Sequence, residues 1–264
     1  MKKYISFSLL IAVLGLGFVI TQTSSAIASF GAAKQNKTVS LPLPTKLSLS
    51  NNGFTCGNTI TDRDGYSYGT VAIGKQCWMA ESVRTKTKPD KTPLTNLSEG
   101  SERDCTNSTG FHGSEADCDA GNAIYTFSAA MNGTNKIGSQ GLCPDGWHVP
   151  TDNEWNMMDS FLKDTNNTCN PSRNDAFDCN SAGTKLKIGG GSGFNANLAG
   201  IRYADEMQGD MFMDFDTGGY FWTSTVSGTN TFLRNVNSDE AGVWRGAQDI
   251  NAPYLSASLR CVMN

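Results

Sequence analysis

An α+β domain braced by disulfides is predicted by three features of the sequence. These are a helix with a complete capping signal at position 151, a series of short strand patterns separated by Gly, Asn, Asp and Ser turns after Cys179, and eight cysteines, an even number. The chain has 264 residues, of which 17% are charged and 28 are Gly. A surface so poor in charge is built from Asn, Thr, Ser and Gly, which excludes a coiled coil or a long helical repeat. Hydrophobic residues at 38% and aromatics at 9% suffice for a packed core and exclude a wholly disordered chain. The formal net charge of −4 lacks the basic footprint that nucleic acid requires, so no nucleic-acid partner is expected.

Lys2 and Lys3 precede an apolar run from Tyr4 to Ile20, and Ala26 and Ala28 then supply the small-x-small pattern of a cleavage site. Residues 1–28 are therefore expected to be a signal peptide. If uncleaved, the run would serve as a membrane anchor, although Ser6, Ser8, Gly15 and Gly17 weaken it. Membrane contact is expected only in that case. Residues 29–55, with Leu41-Pro42-Leu43-Pro44 and a Ser/Asn stretch, have no sustained apolar period and read as a flexible stalk before a domain spanning 56–264.

Within the domain, Thr61 to Met79 alternates β-formers around a turn at Gly74-Lys75 and predicts a hairpin. Asp62-x-Asp64-Gly65 at its start reads as a turn, because the ladder of oxygens that Ca²⁺ needs does not follow. Residues 85–118 are rich in Lys, Thr, Pro, Ser, Gly and Asp and predict loop. Ile124, Phe127, Ser128 and Met131 recur at helical spacing and predict a short helix over 123–131. Thr151-x-x-Glu154 is a capping box, and Trp155, Met158, Phe161 and Leu162 supply one apolar face of a second helix. Lone beside that cap, His148 reads as a structural group. An antiparallel meander follows, with strands expected at 185–188, 220–226, 231–236, 242–245 and 257–263, and the first hairpin is expected to rejoin the last strands.

Export places the cysteines in an oxidising compartment, where four disulfides are more plausible than metal ligation. Two histidines, His112 and His148, and no Cys-x-x-Cys leave a Cys/His zinc site without spacing or ligand density, so no transition-metal site is expected. Proximity favours Cys105 with Cys118 and Cys169 with Cys179, and leaves the pairing of the other four open.

Five ordered blocks carry a family resemblance. They are Asp62-x-Asp64-Gly65-x-x-Tyr68-x-Thr70-Val71-x-Ile73-Gly74-x-Gln76-x-Trp78-Met79-Ala80-Glu81; Cys143-Pro144-Asp145-Gly146-Trp147-His148-Val149-Pro150 with Thr151-Asp152-x-Glu154-Trp155; Gly193-Phe194 to Leu198-Ala199-Gly200-x-Arg202; Tyr220 to Thr225; and Leu259-Arg260-Cys261-Val262. Over about residues 56–263 the chain resembles the Fibrobacter succinogenes major paralogous domain family. That resemblance implies a C-type-lectin-like fold, an exported bacterial protein and no assigned catalytic residues. It also implies a bridge from Cys143 to Cys261 and, with it, one from Cys56 to Cys77. The calcium-and-sugar signatures of better-known lectins, Glu-Pro-Asn or Gln-Pro-Asp with a later Trp-Asn-Asp, are absent. No cofactor is expected. The acidic residues Asp205, Glu206, Asp210, Asp214 and Asp216 read as a solvated loop, because their spacing matches no calcium loop.

The expected function is a non-catalytic cell-surface or extracellular module for binding or adhesion, with a protein or glycan as ligand. Its candidate contact residues are Met207, Met211, Met213, Asp214 and Asp216 in the 204–218 segment, and Trp244, Arg245 and Tyr254 in a second patch. Arg202, Arg234 and Arg260 are expected to pin strands rather than to meet ligand. Two alternatives belong to other classes. An oxidoreductase resembling formylglycine-generating enzymes, which share the lectin-like fold, would need reactive thiols. A receptor diversified by a retroelement would concentrate variation near Asn230, Asn235, Asn237 and Asn251.

Overall fold

The computed structural model describes residues 50–51, 53–205, 209–252 and 255–264. The expected signal peptide and most of the expected stalk lie outside them, as do Glu206, Met207 and Tyr254. In chain order the first half contains β1 (Ser50–Asn51), β2 (Phe54–Thr55), β3 (Ile60–Thr61), β4 (Ser67–Tyr68), β5 (Thr70–Ile73), β6 (Gln76–Met79), β7 (Arg103–Cys105), α1 (Glu115–Asp117), β8 (Ala123–Thr126), α2 (Phe127–Ala130) and β9 (Trp147–His148). The second half contains α3 (Asp152–Leu162), β10 (Ala176–Asp178), α4 (Ala182–Leu186), β11 (Ile201–Asp205), β12 (Gly209–Met213), β13 (Gly218–Ser227), β14 (Asn230–Asn237), β15 (Val243–Asp249), β16 (Ser256–Ala257) and β17 (Val262–Met263). The fold is α+β, with short helices set among antiparallel strands.

Three sheets carry the domain: β5-β6-β17-β9, β12-β11-β16-β8-β7 and β10-β15-β14-β13. In the first, Ile73 faces Gln76 across the expected Gly74-Lys75 turn, with Gly74 at φ 61°, the left-handed conformation that glycine adopts without strain. Val262 of β17 pairs with Trp78 and with His148, so the first hairpin does rejoin the C-terminus. The four disulfides join Cys56–Cys77, Cys105–Cys118, Cys143–Cys261 and Cys169–Cys179. Asp62 and Asp64 act as turn staples. Asp62 Oδ1 accepts from the amides of Asp64 and Tyr66, and Asp64 Oδ2 accepts from those of Lys86 and Thr87.

Helix α3 begins at Thr151 as its capping box requires: Thr151 Oγ1 accepts from the Glu154 amide at 3.2 Å, and Glu154 Oε2 accepts from the Thr151 amide at 2.7 Å. Trp155, Met158 and Leu162 are buried, and the Trp155 ring lies 5.2 Å from Trp78 and 5.6 Å from both Phe194 and Phe221. Phe161 departs from the expected face and is 63% exposed. Asp159 is buried instead, drawn in by Arg173 at 2.8 Å and Arg234 at 3.4 Å. Trp147 and Trp222 are also buried.

Several segments differ from the sequence expectation. Residues 85–118 are not all loop, because β7 pairs with β8 and places Arg103, Asp104 and Cys105 in the interior. The helix expected over 123–131 shrinks to α2. Ala123–Thr126 forms a strand between β7 and β16, where pairing on both edges overrides local periodicity. Of residues 185–188, expected as strand, Lys185 and Leu186 close α4, in which Gly183 packs against the Gly242 carbonyl so closely that a Cβ would meet it at 2.0 Å; Lys187 keeps only a single bridge to Ala196, and Ile188 is 70% exposed. In the 204–218 segment, 204–205 belong to β11 and Gly209–Met213 form β12, paired antiparallel with the register Ile201↔Met213, Arg202↔Phe212 and Tyr203↔Met211. β15 continues to Asp249, and Ser258–Cys261 interrupts the expected last strand. The expected stalk ends early, since Ser50–Asn51 pairs with Phe54–Thr55 and the Phe54 ring packs 5.9 Å from Trp147.

Arg202, Arg234 and Arg260 are fully buried and serve as the expected pins. Arg202 donates to Asp104 Oδ2 at 2.7 Å and to the Ser101 carbonyl at 2.6 Å, tying β11 to the segment that leads into β7. Arg260 donates to the carbonyls of Met79 and Phe194, with its guanidinium 4.2 Å from the Phe194 ring centroid.

Candidate functional site

The candidate recognition surface is set by strand register. Phe177 faces Trp244, Trp244 faces Asn235, and Asn235 faces Tyr220 across β10, β15, β14 and β13. Directly paired residues project from the same side of a sheet, so the four side chains form one row. Phe177 is 39% exposed, while Trp244 and Tyr220 are half-buried. Glycine at 246 makes room for the row, because a Cβ there would meet the Trp244 ring at 2.2 Å. Asn235 is buried, and its amide nitrogen has no hydrogen-bond partner among the described residues.

The row continues into the turn that follows β12. The Tyr220 hydroxyl donates to Asp214 Oδ2 at 2.6 Å, and Asp214 and Asp216 both hold left-handed conformations at φ 59° and φ 61°. Burial, then the bond to Asp214 and its charge, push the Tyr220 phenol up, so it remains a neutral donor at physiological pH. Burial and the same carboxylate raise the Tyr203 phenol. Met213, Asp214 and Asp216 are exposed and Met211 is half-buried beside its partner Tyr203.

Of the candidate contact residues, Asp214 meets Tyr220, Met211 is paired with Tyr203, Trp244 shares the sheet row of Tyr220, and Met213 and Asp216 flank Asp214 in the chain. Sequence reasoning missed both tyrosines and Phe177, although alternation along 220–226 places Tyr220 opposite the core residue Phe221. Arg245 belongs elsewhere. It points to the other side of β15, is 6% exposed and grips Asp152 through Nε at 2.8 Å and Nη2 at 2.9 Å. That buried ion pair corrects its expected role as a contact residue.

A second concavity, of about 710 Å³, is lined by Phe54, Ile60, Trp147 and Met263 with Arg63, Lys91 and Asp145 among its polar groups. Arg63 braces its wall by donating to the carbonyls of Thr87, Leu142 and Cys143. Its size falls within the range of small-ligand pockets.

His148 is engaged at both ring nitrogens, with Asn264 at 2.6 Å and Glu154 at 2.9 Å. Burial works against the imidazolium, but the Glu154 bond and charge, with Asn264, raise His148 above its ordinary 6.5. Burial likewise opposes the Glu154 carboxylate, and His148 and Thr151 hold it below its ordinary 4.5. The stability His148 contributes is full below 6.5 and is lost as pH rises through its raised folded value, while that of Glu154 is lost as pH falls through its lowered value. Melting curves from about pH 4 to 8 are expected to show an alkaline decline for the native protein that is smaller for His148→Gln. Parallel curves would remove this role.

All eight cysteines are in disulfides. Four bridges fit an oxidising, extracytoplasmic compartment. Among the described residues no helix is long and apolar enough to cross a membrane.

These features define a class of disulfide-braced α+β domain in which short strands and buried arginines fix the loops between them. Residues 71–263 match the Fibrobacter succinogenes major domain, and the chain belongs to that family. No curated protein and no solved structure matches it.

Proposed function

We propose that this protein is an exported, non-catalytic binding or adhesion domain with a C-type-lectin-like scaffold, which engages a protein or glycan outside the cytoplasm. The observation that carries this reading is the register-aligned row Phe177–Trp244–Asn235–Tyr220, joined at Tyr220 to the exposed Asp214. Aromatic rings offer a wide apolar face at low conformational cost, and Trp and Tyr are enriched among the residues that dominate interface energies. Flanking Met side chains adapt to irregular partners. Engagement of every cysteine in a disulfide supports this reading over the thiol-dependent oxidoreductase, whose chemistry needs a reactive thiolate.

Binding is tested on a glycan and cell-envelope array, with native protein, Trp244→Ala and a Met211→Ser/Met213→Ser pair. Trp244→Ala is expected to weaken binding about tenfold or more, as for a loss of at least about 1.4 kcal/mol. The Met pair should weaken it less, with melting temperatures within a few degrees of native. Native affinity in both folded variants would defeat this surface and move recognition to the cleft at Phe54 and Trp147.

A further inference from the structure

Asp104 and His112, eight residues apart, meet the sequence-distant Asp210 beside the five-stranded sheet. Asp104 stands on β7 and Asp210 on β12, and His112 reaches over them from the loop closed by Cys105–Cys118. That loop is held tightly. The Gly113 amide donates to the Cys105 carbonyl at 2.7 Å, and any Cβ at 113 would stand 2.7 Å from the same oxygen. His112 Nδ1 lies 2.5 Å from Asp104 Oδ2, and its ring meets Phe212 edge-on at 5.2 Å. On its other side Nε2 faces Asp210 Oδ2 at 3.7 Å.

Asp210 is the anomaly. Its side chain is 4% exposed, and neither carboxylate oxygen has a hydrogen-bond partner among the described residues. Arg202 Nη1 sits 2.7 Å from Asp104 Oδ2 and 3.7 Å from Asp210 Oδ2, so one guanidinium stands against two carboxylates. A buried carboxylate without hydrogen bonds is costly unless another cation satisfies it. The gap of 3.7 Å is too long for a hydrogen bond to Nε2. Two donors of one tetrahedral ion with bonds of about 2.1 Å stand roughly 3.4 Å apart, so a shift of a few tenths of an ångström would let both reach it.

We propose that His112 Nε2 and the Asp210 carboxylate bind a divalent transition metal such as Zn²⁺, with Asp104 as the positioning group behind the imidazole. Asp104 accepts from Nδ1–H and so leaves the Nε2 lone pair aimed at Asp210, the outer-shell arrangement usual for metal-bound histidine. An imidazole nitrogen among the donors favours Zn²⁺, Co²⁺ or Ni²⁺ over Ca²⁺ and Mg²⁺, which prefer oxygen alone. His112 is 31% exposed, which provides a route of entry and leaves the remaining positions to water. The ion would tie the Cys105–Cys118 loop to the β11–β12 hairpin. This proposal departs from the sequence expectation of no transition-metal site, which weighed Cys/His spacing and not a carboxylate brought in from a distant strand. This proposal is independent of the recognition surface.

The test uses EDTA-treated, dialysed protein titrated with Zn²⁺ by calorimetry and with Co²⁺ by visible absorption. One equivalent is expected to bind, with Co²⁺ d–d bands that Zn²⁺ abolishes. His112→Gln and Asp210→Asn are expected to lose the site, and Asp104→Asn to weaken it about 10–100-fold. Circular dichroism checks that each variant folds. Because Asp210→Asn could disturb the hairpin, Zn²⁺ is also followed in native protein by imidazole ¹⁵N NMR, where the His112 Nε2 resonance should shift and those of His148 should not. Absence of stoichiometric binding to native protein, full retention in folded His112→Gln, or a shift confined to His148 would overturn the proposal.

Discussion

Asp152→Ala is expected to lower stability by about 3–5 kcal/mol, the usual consequence of stranding buried charge. Asp152 accepts from Arg245 through both carboxylate oxygens and from Arg234 Nη1 at 2.8 Å. Burial opposes its ionised form, but the two guanidiniums hold its carboxyl below the usual range. Its contribution is therefore present at neutral pH and lost as pH falls through the depressed value. Removing it leaves Arg234, fully buried, with Asn156 and Asp159, and leaves Arg245 with the Arg173 carbonyl and the Phe232 ring. Urea unfolding measures the loss. Arg245→Met in the Asp152→Ala background should recover part of it, because the stranded cation is then gone. A difference under about 1 kcal/mol from native would show that water satisfies these arginines and that the network is not structural.

Cys143→Ser and Cys261→Ser should each cost about 2–5 kcal/mol, and reductant should lower the native melting temperature correspondingly. The bridge spans 118 residues of sequence, and chain-entropy estimates for so long a loop reach about 4–5 kcal/mol. It also secures β17, whose two residues must join β6 and β9. So short a strand has few ladder bonds of its own, so its position depends on the covalent tie. Equal unfolding midpoints with and without reductant would refute this dependence.

Features written locally were legible. Thr151 and Glu154 cap α3 because a four-residue pattern satisfies its own orphan backbone groups. Gly74 marks the first hairpin turn because it tolerates positive φ. Cys105–Cys118 and Cys169–Cys179 close short loops that proximity makes probable partners in any fold. The long strands β13 and β14 show alternation strong enough to read, and the family resemblance supplied the distant bridge.

Features that depend on partners were not. Arg103-Asp104-Cys105 has no strand propensity, yet β8 makes it an edge strand. Ala123–Thr126 has helical spacing, but two flanking strands satisfy its backbone better than a single turn of helix would. The 204–218 segment has the composition of a loop, while pairing of β11 with β12 places 204–205 and Gly209–Met213 in paired strands.

By itself, then, the sequence determined the class: an even set of cysteines, one capped helix, a C-terminal meander and a family pattern whose arginines hold strands together. Only the tertiary structure decided which faces are available. It turned Arg245 inward onto Asp152, aligned Trp244 with Tyr220 and Phe177, and carried His112 to Asp104 and Asp210. The reason is physical. Caps, turns and periodicity act over a few residues, whereas side-chain exposure and the meeting of charges are set by strand register and loop closure across a hundred positions or more.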